Sequence, residues 1–242
     1  MKNHLIYSVM PVDFILLNQF MAISYSRVVT CKLNVVKEHQ LMARRIGIYS
    51  GTFDPVHAGH IAFALQALQT SNLDLVYFLP ERRPRSKKHV EHFAHRVAML
   101  KQASKPHPKF KVLELVDTSF SVERTLPKLN TLFEGDQLVF LFGSDIVNSL
   151  PEWSKSDRLL KSSELIIGLR DSDNRSSLNT QIEKWQVKPK QHTLIDAYAP
   201  DISSSKIREA LQRRRSVKGI LRSVERYSNR HWLYISLAID NT

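Results

Sequence analysis

The sequence predicts an α/β fold: a parallel sheet with helices on both faces, followed by a small C-terminal helical region over about 203–242. Three observations carry this. Apolar runs at 46–49, 73–79, 138–142 and 164–169 read as buried strands. Helix-forming stretches lie between such runs, as at Ile61–Leu68, and strand–helix–strand order makes a parallel sheet. Serines precede a helical run near residue 203, and arginine-rich helical sequence follows. In such a sheet ligands bind at the carboxyl ends of the strands.

Composition sets the bounds. The 242 residues are 43% hydrophobic and 24% charged, which supports a real core and argues against a disordered chain. A formal net charge of +12 suits anionic ligands, nucleotides and nucleic acid alike. One cysteine, Cys31, excludes an intrachain disulfide framework and fits a reducing, cytoplasmic setting. The moderately apolar stretch 9–23 is interrupted by Asp13, Asn18 and Gln19 and is too short and polar to span a membrane. No small-residue cleavage site follows it. Met42-Ala43-Arg44-Arg45-Ile46 runs straight into the first strand. The domain is therefore expected over 42–242. Residues 1–41 are expected to be an extension, disordered or a start-site artefact, with Met42 as initiator before Met21. The rival is an added helix packed on the domain.

The first strand ends in Gly51-Thr52-Phe53-Asp54-Pro55-Val56-His57-Ala58-Gly59-His60. Gly51 suits a tight turn or a close approach to a ligand. Pro55 stiffens a helix entry. His57 and His60, three apart, share one face of a helix. With the helix N-terminus they make a seat for phosphate oxygens, although a metal pair or a plain junction would use the same residues.

Leu73–Pro80 reads as the second strand. A basic loop follows, with Arg82, Arg83, Arg85, Lys87 and Lys88, either solvated or a flexible lid over phosphate. His92–Ala103 reads as a helix; its Arg96 is either an ion-pair partner or a substrate-side cation. Phe110–Val116 reads as the third strand, and Ser119–Leu126 opens a helix. Leu138–Phe142 is a buried strand running into Gly143-Ser144-Asp145, where Asp145 either binds ribose hydroxyls or caps a turn. Glu164–Arg170 is a further strand, 171–178 a polar loop, and 192–197 a short strand. In Asp201–Leu211 the serines cap a helix, and Arg208 offers a fork for phosphate.

The first motif resembles the signature of the nucleotidyltransferase superfamily with its His-x-Gly-His element, which transfers AMP or CMP from a nucleoside triphosphate. Ile202-Ser203-Ser204-Ser205-Lys206-Ile207-Arg208 resembles the second motif of its adenylyltransferases, about 150 residues on. Gly143-Ser144-Asp145 with Leu150-Pro151-Glu152-Trp153 resembles the nicotinate mononucleotide adenylyltransferases in particular. The resemblance covers roughly 45–235 and implies a Rossmann-like fold. It also implies AMP transfer from Mg2+-ATP to nicotinate mononucleotide, giving nicotinate adenine dinucleotide and pyrophosphate. His57, His60, Arg208 and Lys88 would be catalytic. Gly51, Thr52, Phe53, Lys87, Gly143, Asp145, Ile202, Ser203, Ser204 and Ser205 would join His57, His60 and Arg208 in holding ATP. Ser119, Phe120, Ser121 and Thr125 would meet the acceptor, with Trp153 stacked on the pyridine ring. Here Phe120 and Ser121 stand where the family has Tyr and Thr. No protein-held metal is expected; Mg2+ would bridge the phosphates. Nicotinamide mononucleotide and phosphopantetheine are the alternative acceptors. A basic RNA-binding protein is the reading from another class, disfavoured because the basic runs lack interleaved aromatics. A homo-oligomer is left open.

Overall fold

Residues 43–85, 87, 89–170, 173–196 and 202–235 are described by the computed structural model. The expectations placed on 1–41, and the role given to Lys88, lie outside them. Six strands form one sheet: β1 (Arg45–Gly51), β2 (Leu75–Pro80), β3 (Phe110–Val112), β4 (Gln137–Gly143), β5 (Glu164–Leu169) and β6 (His192–Asp196). Their spatial order is β3-β2-β1-β4-β5-β6 and every pairing is parallel. Order reverses between β1 and β4, and the crevice outside their carboxyl ends is where such sheets hold ligands. Among the described residues seven α-helices complete the fold: α1 (Ala58–Thr70), α2 (Phe93–Ser104), α3 (Thr125–Leu132), α4 (Ser156–Ser162), α5 (Arg175–Glu183), α6 (Ser204–Gln212) and α7 (Arg222–Arg230).

The apolar runs divide between two cores by the two-residue period of a strand. From β4, Leu138, Phe140 and Phe142 join Ile46, Ile48, Leu126, Leu129, Leu159 and Ile167 on one face. Val139 and Leu141 point the other way, against Val76, Phe78, Ala64, Met99 and Leu100. At the strands' amino ends Arg45 makes a two-pronged bond to Glu164, at 2.9 and 2.7 Å, tying β1 to β5 across β4.

Three elements differ from the sequence reading. The third strand stops at Val112, not Val116. Leu113 still bonds the Phe78 carbonyl, but the chain then leaves this edge of the sheet, and Val116 is 79% exposed. The expected loop 171–178 becomes α5 from Arg175, because Asn174 caps it by accepting from the Ser177 amide at 3.0 Å. Its apolar stripe, Leu178 and Ile182, is too sparse to show a period. The helix expected to open near Ser119 begins at Thr125.

Arg96 organises the carboxyl end of the sheet. It is 1% exposed. Its Nη1 donates to the Thr52 carbonyl at 2.6 Å, and Nη2 to those of Glu81 at 2.8 Å and Arg82 at 3.2 Å. Nε donates to the Glu91 carbonyl at 2.9 Å. The side chain has no ion-pair partner among the described residues and is not turned to a substrate; it satisfies main-chain carbonyls of the loops after β1 and β2 and of the entry to α2. A lysine has one nitrogen and cannot span four carbonyls. Arg96→Lys is expected to lower unfolding free energy by about 3 kcal/mol, since buried carbonyls lose partners. Guanidinium denaturation measures this; an unchanged midpoint would contradict it.

Candidate active site

Just beyond β1 the chain turns so sharply that the Phe53 ring folds back over Gly51. A Cβ on Gly51 would lie 3.1 Å from that ring, so a side chain there would push it away. Phe53 has φ 50°, is 2% exposed, and packs edge-on against Tyr49, His60 and Phe78. Its side chain is core, which leaves only its backbone for a ligand. The Thr52 carbonyl is taken by Arg96.

His57 caps α1 and His60 lies one turn in, with ring centroids 3.7 Å apart and planes 31° apart. The His57 amide donates to His60 Nδ1 at 3.2 Å. In the neutral ring this puts the His60 proton on Nε2, ready to donate. Burial lowers the His57 pKa to about 4. Burial also holds His60 well below its ordinary value, assisted by the charges of His57 and Lys87. Both imidazoles are thus neutral near pH 7. His57 Nδ1 is buried with no hydrogen-bond partner among the described residues. The helix start is less open than its sequence indicates, because the Ala58 amide already bonds the Gly219 carbonyl at 2.9 Å.

The second motif closes on the first. Ser203 caps α6, accepting from the Lys206 amide at 3.3 Å. Ser204 Oγ donates to the Pro55 carbonyl at 3.0 Å. Arg208 Nη1 donates to the Asp54 carbonyl at 2.6 Å and lies 3.7 Å from the Asp54 carboxylate. Arg208 Nη2 donates to Ser205 Oγ at 3.3 Å. Ile202 packs over Gly219, where no Cβ would fit. Beyond β4, Gly143 leaves room for the Asp145 carboxylate, which a Cβ would meet at 2.6 Å. Asp145 is exposed and pairs with Arg170 at 3.3 Å, so it has a charge partner that the sequence reading did not assign.

On the acceptor side, Trp153 is half-buried against Phe120 and Phe142, at 6.1 Å from each. Phe120 itself is core, and Ser119 is buried. The Phe120 amide already donates to Glu81 Oε1 at 3.0 Å, and the Ser121 amide to Thr125 Oγ1 at 3.1 Å. Thr125, 1% exposed, also bonds Asp117 at 3.2 Å, so its hydroxyl shapes the segment and does not face a ligand. The basic loop docks here: the Arg83 amide donates to Thr118 O at 2.6 Å and Arg85 Nη2 to Phe120 O at 3.0 Å. It lines a cavity of about 790 Å³ with Arg82, Lys87 and His92. Glu81, Arg85 and Arg96 were not singled out for these contacts by local sequence, because each acts through a main-chain partner remote in the chain.

The cytidylyltransferase-like family model matches residues 48–210, from β1 into α6. An Oceanobacillus iheyensis protein named as a probable nicotinate-nucleotide adenylyltransferase is 32% identical over 197 residues, covering 79% of this chain and 97% of its own. The chain belongs to the nicotinate-nucleotide adenylyltransferase family. A Bacillus subtilis member is 40% identical over 124 residues, a match spanning 48% of this chain and 65% of that enzyme. The fold is that of the Plasmodium falciparum nicotinic acid mononucleotide adenylyltransferase solved with NaAD, at TM-score 0.67 and 20% identity, over 79% of this chain and 97% of that one. The matched region holds both segments singled out in the sequence, which meet here through Arg208 and Asp54. No helix among the described residues is long and apolar enough to cross a membrane.

The low histidine pKa has a consequence for stability. Unfolded His titrates near 6.5, so between about pH 6.5 and 4 the unfolded chain binds more protons than the folded one. Stability is full above that window and is lost as pH falls through it, by about 3 kcal/mol for His57. His57→Gln is expected to show a flatter dependence of melting temperature between pH 7 and 4.5, measured by calorimetry.

Proposed function

We propose that this chain transfers AMP from ATP to nicotinate mononucleotide, forming nicotinate adenine dinucleotide and releasing pyrophosphate. The observation that carries the reading is the junction of the two motifs. Arg208 meets Asp54 beside the closely packed His57–His60 pair, outside the switch point of the sheet. The names of the relatives support the choice of acceptor.

The acceptor's phosphate oxygen attacks the α-phosphorus of ATP in line, and the bond from that phosphorus to the pyrophosphate oxygen breaks. The substrate supplies its own nucleophile, so the protein's task is alignment and charge stabilisation. His60 donates from Nε2 and His57 from its cleft-side nitrogen, both as neutral imidazoles. Arg208 and Lys87 supply positive charge in this reading; the closeness of the Lys87 charge to His60 supports the part given to Lys87. Backbone groups of Gly51, Thr52 and Phe53 line the triphosphate, Gly143 and Asp145 the ribose, and 202–205 the adenine. Ser119, Ser121 and Trp153 face the acceptor, with the indole against the pyridine ring. Among the described residues no group of three or more His, Cys, Asp or Glu could hold a metal ion. In this reading Mg2+ arrives on the ATP phosphates. The reaction is placed in the cytoplasm, which suits a chain with one cysteine.

Pyrophosphate release from Mg2+-ATP tests this with three acceptors: nicotinate mononucleotide, nicotinamide mononucleotide and phosphopantetheine. Fast release is expected with the first, and His57→Ala should lower kcat by about a hundredfold or more. Release with another acceptor alone would overturn the substrate; release with none, from folded protein, would overturn the activity.

A further inference from the structure

Asp54 is a buried carboxylate, 2% exposed, lying between Arg208 and the end of the described chain. Its Oδ1 accepts from the Tyr234 hydroxyl at 2.8 Å and from the Glu91 amide at 3.4 Å. Its Oδ2 lies 3.7 Å from Arg208 Nη1. A closed guanidinium–carboxylate bond is about 2.7–2.9 Å long. This pair therefore stands open, although the two groups are neighbours and the arginine side chain is only 29% exposed. The guanidinium is aimed instead by neutral partners, the Asp54 carbonyl and Ser205 Oγ.

Tyr234 reaches Asp54 through a built turn. After α7 the chain passes through Trp232 at φ 54° and Tyr234 at φ 61°. Leu233, between them, is 7% exposed in the core and its amide bonds the Ser228 carbonyl at 2.9 Å. Two left-handed residues around a buried leucine hold the phenol where it is, at a conformational cost that the packing sustains.

We propose that Tyr234 is a positioning residue: by donating to the Asp54 carboxylate it keeps that carboxylate from closing on Arg208, and so leaves the guanidinium available to the triphosphate. This rests on the adenylyl-transfer reading only in naming the triphosphate as ATP. Without the hydroxyl, the buried carboxylate loses its shortest donor. Its nearest source of compensation is Arg208, and a closed ion pair would neutralise the arginine and turn it from phosphate.

Tyr234→Phe removes one oxygen and keeps the ring. In the full chain it is expected to weaken Mg2+-ATP binding about tenfold by calorimetry and to raise the ATP KM similarly, while the nicotinate mononucleotide KM changes less than twofold. Unchanged ATP affinity, or equal weakening of both substrates, would overturn the proposal. In an Asp54→Asn background the same change should alter ATP binding less than twofold, because an amide forms no ion pair; a tenfold loss there would also overturn it. Should Tyr234→Phe fail to fold, Asp54→Asn alone decides: it should bind ATP no more weakly than the unaltered chain, and a tenfold weakening would refute the competition. A failure of the substrate reading is separable. The unaltered chain would then release no pyrophosphate with nicotinate mononucleotide, while Tyr234→Phe still weakened ATP binding.

Discussion

The constraint on which the site depends is the satisfaction of main-chain carbonyls at the carboxyl end of the sheet. Parallel strands finish there with their loops converging, and carbonyls that leave water need donors. One guanidinium, that of Arg96, serves Thr52, Glu81, Arg82 and Glu91 together. Its planar fork holds two loops and a helix entry in one arrangement. The turn carrying Phe53 and Asp54 is thereby held, and with it the position from which His57 enters α1. The aromatic packing of Phe53 against Tyr49 and Phe78 supplies the second, apolar side of the same clamp.

The electrostatics of the cleft differ from what the overall charge implies. A net +12 is a long-range property that draws anions towards the molecule. Inside the cleft burial keeps both imidazoles neutral, and the charges of His57 and Lys87 add to this at His60, so the pair presents oriented dipoles and not fixed charge. In the proposed reading, fixed positive charge comes from Arg208 and from Lys87 in the loop after β2. Preorganised donors of this kind need little rearrangement when charge develops on a phosphoryl group.

Much of the fold was legible because fully buried parallel strands announce themselves as unbroken apolar runs. β4 is the clearest, and its alternate residues then supply both cores. β3 and α5 were misread for opposite reasons. The apolar alternation of 110–116 continues past the point where the sheet edge releases the chain, whereas α5 has a cap but almost no stripe. Both ligand motifs were visible as residue strings. What the strings do not contain is their partners: that Arg208 rests on the carbonyl of Asp54, that Glu81 occupies the Phe120 amide, that Thr125 is turned inward. These are tertiary facts, set by which loops the sheet order brings together. Tyr234 is the extreme case, since its placement depends on two left-handed backbone residues that no local pattern marks.

The bond from Tyr234 to Asp54 spans 180 residues. Ala58 and Gly219, and Ser204 and Pro55, likewise join the first turn of the chain's nucleotide site to its far end. Closing such long loops carries an entropic cost that local contacts do not offset along the way. On the ribosome, therefore, β1 and the histidine pair emerge early and must wait. Until α7, the last helix among the described residues, has left the exit tunnel, a nascent chain lacks the groups that complete the cleft. A chain cut before α7 would lose the Tyr234 bond to Asp54 together with the core packing of Val224 and Leu233, so completion of the cleft is tied to connectivity and not to any single residue.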